Sequence, residues 1–184
     1  LTAAGCAATH TQITSHTQRP LPSSVKLGNV AVVSVLFAEK NKPSHEKWAA
    51  EARKAIQVQL QKDAAVRGVV ESVELPSRYG PDRNNTDTSA LLRQAIERLQ
   101  GKPVDTICLV QWKAMSRELT LSLGIPPERL VRVSGKCEYQ IQLMDVRTGQ
   151  ELFASTGTWS EGSDAPQWSL SPSATHLGEQ IAQT

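Results

Sequence analysis

The chain has 184 residues and a formal net charge of +2, with 39% hydrophobic residues but only 4% aromatic ones. That length fits one domain plus tails, with a core filled mainly by aliphatic side chains. The near-balanced charge and the lack of a dense Lys/Arg run argue against a phosphate-tracking nucleic-acid surface. No stretch reaches the roughly 18 apolar residues of a membrane-spanning helix.

Residues 1–25 read as a tail. The opening Leu1-Thr2-Ala3-Ala4-Gly5-Cys6 places small residues before a Gly-Cys pair. It resembles the end of a bacterial lipoprotein signal peptide, the lipobox, with Ala3 where the commonest pattern has Leu. The resemblance implies that Cys6 is the lipidation site, with a diacylglycerol on its thiol and a further acyl chain on its amino group, which together anchor stably. Thr9 to Ser24 is polar and contains Pro, as suits a flexible tether between membrane and domain.

The domain is expected over 26–184. Val30 to Phe37 is a near-continuous apolar run, the mark of a strand buried on both faces. After a polar loop, Ser44 is placed to cap a helix over about 45–63, in which Trp48, Ala52, Ala55, Ile56, Gln59 and Leu60 recur at helical spacing, while Glu51, Arg53, Lys54, Gln57 and Lys62 face out. Val69 to Leu75 alternates and reads as a strand nearer an edge. Pro76 to Asp87 is a loop holding Pro, Gly and Asn, including the formal glycosylation sequon Asn84-Asn85-Thr86. Asp87 or Thr88 caps a second helix with the stripe Leu92, Ala95, Ile96 and Leu99, ended by Gly101 and Pro103.

Val104 to Trp112 predicts a third, central strand. Arg117 to Leu123 fits either strand or helix, and Gly124-Ile125-Pro126-Pro127 breaks both. From Val131 the parity set Val131, Val133, Cys137, Tyr139, Ile141 and Leu143 predicts a half-buried strand. Asp145-Val146-Arg147-Thr148-Gly149 turns the chain, with Asp145 bonding the turn backbone and Gly149 free to take positive φ. A return strand runs through Leu152, Phe153 and Ala154 to Trp159. Glu161 to Ser173 is loop-like, and Ser173 to Thr184 predicts a closing helix. The fold class is therefore α/β: a mixed sheet with a β-α-β-α-β core, an antiparallel hairpin and a C-terminal helix, the helices packed on the sheet.

The four His residues form no metal-spaced pair, and there is no HExxH, G-x-S-x-G, P-loop or G-x-G-x-x-G pattern. The expectation is no enzyme, no metal and no cofactor. Cys108 and Cys137 lie on predicted strands and either pair as a disulfide or stay separate buried thiols. Arg78, Tyr79 and Arg83 on the long loop are candidate partner contacts. Trp168, between Pro166 and Leu170, is either an interface anchor or a side chain folded back over the core.

Taken together, the lipobox-like start, the polar tether, the Val30–Phe37 strand and the Gln-Leu-Met-Asp-Val-Arg-Thr-Gly-Gln-Glu-Leu hairpin resemble bacterial envelope lipoproteins with a fold like the TolB amino-terminal domain, the LpoB-like and CsgG-like group. The segment Ala114 to Leu130 has no counterpart in that pattern. The resemblance implies an outer-membrane-anchored periplasmic module that binds other envelope proteins, as a homo-oligomer or a subunit of a larger assembly, with no catalytic residues. The rival readings are an unlipidated secreted α/β domain and an envelope hydrolase with an unrecognised site.

Overall fold

The computed structural model describes residues 9–84, 87–123 and 129–163. Strand β1 spans Thr9–Arg19, β2 Gly28–Ala38, β3 Val66–Glu74, β4 Arg78–Tyr79, β5 Thr106–Leu123, β6 Arg129–Asp145 and β7 Glu151–Ser163; helix α1 spans Pro43–Leu60 and α2 Thr88–Arg98. The strands form one seven-stranded mixed sheet in the order β1-β7-β6-β5-β2-β3, with the short β4 pairing the end of β2. β2 is parallel to β3 and β5, whereas β5, β6, β7 and β1 run antiparallel in succession. The mixed α/β architecture expected from the sequence is the one observed.

The apolar run of β2 is explained by its place. It sits between β3 and β5, and alternate residues feed two cores on opposite faces of the sheet. Val30, Val32 and Leu36 join the larger core with Trp48, Ala52 and Ile56 of α1 and extend to Tyr139, Ile141, Phe153 and Trp159. Ala31, Val33, Val35 and Phe37 join Leu91, Ala95 and Leu99 of α2 with Ile107 and Leu109. The chain crosses from β2 to β3 on one side and from β3 to β5 on the other. Right-handed crossovers in opposite directions place the two helices on opposite faces.

Helix α1 starts earlier than Ser44 suggested. Lys42 is its N-cap, without a side-chain bond, and Pro43 opens the helix, where a missing N–H costs nothing and the fixed φ is already helical. Arg53, expected to face out, turns inward: its guanidinium donates to Ser34 Oγ and pairs with Glu74, both at 3.0 Å. Asp87 caps α2 by accepting from the Ser89 amide at 2.9 Å. The buried stripe of α2 is Leu91, Ala95 and Leu99, one position round from the expected one, leaving Ile96 37% exposed. β3 is an edge strand as expected, although Leu75 lies just past its end, with its amide bonded to the Ser34 carbonyl.

Two expectations are corrected and one open alternative is settled. Thr9 to Arg19, read as tether, is strand β1, paired along β7; a Thr-rich, alternating segment has the β preference to cover an otherwise open sheet edge. Arg117 to Leu123 resolves as strand, because β6 offers it a complete antiparallel partner from Gly135 to Arg129. Glu161 to Ser163, read as loop, continues β7. A one-residue bulge between Lys113 and Ser116 lets β5 continue past the end of β2, with Ala114 at φ +47°. The predicted helix over Ser173 to Thr184 lies outside the described residues.

Candidate functional site

The larger core lies on the α1 face of β6 and β7, so the intervening residues of these strands point to the other face. Among the described residues, α2 covers β2, β3 and the start of β5 on that face. The remaining part of that face carries polar side chains in two rows across four strands. Register aligns Thr14, Thr158, Glu138 and Lys113 in one row and His16, Thr156, Gln140 and Gln111 in the next. Between them lies a groove of about 380 Å³ lined chiefly by Thr14, His16, Lys113, Glu138, Gln140 and Thr156.

The groove is tied together by its own hydrogen bonds. Thr14 Oγ1 and Thr158 Oγ1 lie 2.6 Å apart. Lys113 Nζ donates to Gln140 Oε1 at 2.7 Å. Behind it, Gln111 Nε2 donates to Gln142 Oε1 at 3.2 Å, and Gln142 Nε2 donates to Glu151 Oε2 at 2.6 Å. Gln111 is fully buried, and among the described residues its Oε1 has no hydrogen-bond partner. Burial pulls the half-buried Lys113 ammonium below the usual lysine range, and the facing Glu138 carboxylate opposes that shift.

Chemically, the rows offer alternating donors and acceptors on strands spaced about 4.8 Å apart. Such a surface suits a polar partner that lies along the sheet. A second, smaller hollow of about 190 Å³ is apolar and sits where Ile96, Leu99, Val104, Ile107 and Val146 meet. Among the described residues no three His, Cys, Asp or Glu side chains gather as a metal site requires.

The sequence-predicted site residues fall elsewhere. Cys6 and Trp168 lie outside the described residues. Tyr79 donates its hydroxyl to Glu46 in the first turn of α1, and Arg83 pairs with Glu39, just past β2, at 2.9 Å, so the two fasten the long loop to α1 and to the end of β2. Arg78 is half-buried beside Tyr79 in β4. None of the three borders the groove. Cys108 and Cys137 are free, buried thiols. Cys108 faces Leu143, six residues along β6 from Cys137, about 20 Å at strand rise and far beyond the 7 Å or so that a disulfide tolerates. Asp145 takes the turn role expected of it, accepting from the Arg147 and Thr148 amides and the Thr148 hydroxyl at 2.8–2.9 Å, with Gly149 at φ +69°.

Sequence reasoning missed the groove residues. Their signal was the polar half of the β6 alternation, Lys136, Glu138, Gln140 and Gln142, which reads as ordinary solvent-facing filler until β7 and β1 continue the same rows.

Among the described residues the chain is a single mixed α/β sheet with one helix on each face and a polar area that neither helix covers. No protein-family model and no curated protein matches the sequence. Similar solved structures include the dodecameric PelC from Paraburkholderia phytofirmans, with 16% identity over 94% of each chain and a TM-score of 0.47. They also include the lipoprotein GNA1162 from Neisseria meningitidis, with 15% identity over 85% of this chain and 99% of that one and a TM-score of 0.37. A neuraminyllactose-binding hemagglutinin homologue from Helicobacter pylori shows 13% identity over 86% of this chain and 79% of that one, with a TM-score of 0.38. At these values the likeness assigns no family, and none of the three is LpoB-like or CsgG-like by name.

Proposed function

We propose that this chain is a lipid-anchored periplasmic protein of the bacterial outer membrane, acting as a non-enzymatic binding and assembly module of the cell envelope. The compartment rests on the Ala3-Ala4-Gly5-Cys6 run and its resemblance to a lipobox. The binding role rests on one observation: the groove's hydrogen-bonding side chains stand on four adjacent strands, where the backbone holds them in fixed rows. Preorganised polar groups of this kind lose little entropy when a partner docks. A second copy is the first partner to consider, because among the described residues β1 and β3 each keep one edge unpaired.

A photoreactive amino acid at Thr156, in the full chain expressed in a Gram-negative host, tests the binding role. Adducts with a discrete envelope protein or with a second copy are expected from this position. Adducts from Arg78 or Arg83 positions but none from Thr156 contradict the placement of the binding surface.

A further inference from the structure

Strand β1 has an outer edge with which no described residue pairs. Its inner edge follows β7 without a break from Thr9 to Thr17. Gln12 and the residues from Thr14 to Arg19 are all exposed. So long a strand therefore gains little from apolar burial, and its backbone is bonded along one side. Natural sheets blunt such an edge with charges, Pro or a bulge. The other edge strand, β3, shows these devices: its register against β2 shifts twice, and it carries Arg67, Glu71 and Glu74. From Thr9 to Thr17, β1 has no Lys, Arg, Asp, Glu or Pro and no register shift.

The segment is also its own complement. His-Thr-Gln occurs twice in it, at 10–12 and at 16–18. When two copies are paired antiparallel about Thr14, Thr14 comes opposite Thr14, Gln12 opposite His16, Thr11 opposite Thr17 and His10 opposite Gln18. Thr–Thr and other hydrogen-bonding pairs of this kind favour strand pairing. Arg19, the one formal charge of β1, lies at opposite ends of the two copies, so no like charges meet. The two-fold axis of such a pair stands perpendicular to the sheet and keeps the groove face of both copies on the same side. Gln12, Thr14 and His16 alternate along β1 on that face. The row Lys113, Glu138, Thr158 and Thr14 then runs on into Thr14 of the partner subunit.

We propose that two copies of this chain pair antiparallel through the outer edges of β1, centred on Thr14, and form one continuous sheet in which their polar grooves join. The groove of a single chain is bounded by β1 and ends at an open strand edge. Pairing continues it, with Gln12 of the partner subunit set beside His16 and Thr14 of the partner subunit beside Thr14. The inference rests on the reading of the groove as a binding surface, and not on the lipid at Cys6. One strand pair buries less than the roughly 1,200 Å² at which standard interfaces begin, so the dimer is concentration-dependent.

Cysteine pairing reads the register directly. In the full chain carrying Cys6→Ala, Thr14→Cys sets two thiols at opposed positions, where Cα atoms lie about 4.5–5.5 Å apart, within the reach of a disulfide. Cys108 and Cys137 are buried and take no part. Oxidation should link Thr14→Cys into a dimer several times more completely than Gln12→Cys or His16→Cys alone, whose thiols lie roughly 14 Å from their copies. An equal mixture of those two variants should give the mixed dimer. Sedimentation equilibrium should show the Cys6→Ala chain dimerising as its concentration rises, and Thr14→Lys, which opposes two ammonium groups at the axis, should weaken this about tenfold. Thr14→Cys linked no better than Gln12→Cys, or a mixture of folded variants that yields no mixed dimer, overturns the pairing. Adducts from Thr156 to another envelope protein would uphold the groove as a binding surface even then.

Discussion

Tyr139 on β6 crosses β7 at Gly157, its register partner, and fills the space where a side chain at 157 would begin. The carbonyl of Thr14 on β1 closes the same space, 3.5 Å from the tyrosine hydroxyl. A residue of the central hairpin thus reaches over one strand to the next. Gly157→Ala must displace the ring or lift β1, at a cost of about 1–3 kcal/mol. Chemical denaturation measures the loss, and hydrogen exchange should show it concentrated in Thr14 to Thr17. Tyr139→Phe removes only a long hydrogen bond and should cost less than about 1 kcal/mol.

Trp48 of α1 packs edge-on against Trp112, with ring centroids 5.3 Å apart, and tilted against Trp159 at 5.2 Å. This trio joins α1 to β5 and β7 in one core. Trp48→Ala opens a large cavity there and should cost about 3–5 kcal/mol, a large share of an ordinary domain's stability. Thermal unfolding followed by near-ultraviolet circular dichroism reads both the stability and the loss of the aromatic signal.

Arg53 is only 12% exposed and holds Glu74, whose side chain is 38% exposed, together with Ser34. Arg53→Ala strands a carboxylate and a hydroxyl at the α1–β2–β3 junction. With allowance for the exposure of Glu74, the loss should be about 1–3 kcal/mol. Arg53→Met, which keeps the packing of the stem, should recover part of it, so the difference between the two variants separates packing from charge.

Asp105 accepts from the Asn29 amide and from Arg67, and Asp145 from the Thr148 amide and hydroxyl and the Arg147 amide; these bonds hold both carboxyls below the usual range. The folded chain therefore binds protons at these groups less readily than the unfolded chain does. Their stabilisation is complete above about pH 4, the ordinary carboxylate value, and is lost as the pH falls through the lowered values. Urea midpoints measured from pH 6 down to pH 2 should drop most steeply below pH 4, and Asp145→Asn should flatten that drop.

Burial pushes the Cys108 thiol up to about 12 and Cys137 higher still. Thiolate is the reactive form, so a Cys6→Ala chain, which keeps two of the three cysteines, should give no rapid reaction with a disulfide reagent when native and two equivalents in denaturant. A native chain that still yields none after unfolding without reductant would mean that a disulfide forms after all.

Much of the fold was legible in the sequence because it is written in local patterns. The continuous apolar run of Val30 to Phe37 marked a strand buried on both faces, and Asp145 with Gly149 marked the hairpin turn. What stayed hidden depended on distant partners. Thr9 to Arg19 looks like a tether until β7 offers it an edge, and Arg117 to Leu123 looks ambiguous until β6 pairs with it. Arg53 reads as a solvent-facing charge because its two acceptors, Ser34 and Glu74, are far away in sequence. The groove was illegible for the same reason: Thr14, Thr156, Glu138 and Lys113 become neighbours only through register, and no single segment holds more than two lining residues of the same row.

The intact mass, with membrane fractionation, of the full-length protein made in a Gram-negative host decides whether the chain is a lipid-anchored envelope module. The expected result is a mature chain beginning at Cys6 with three acyl chains, found with the outer membrane and lost from it in Cys6→Ala. An unmodified chain in the soluble fraction, still carrying the residues before Cys6, would contradict it.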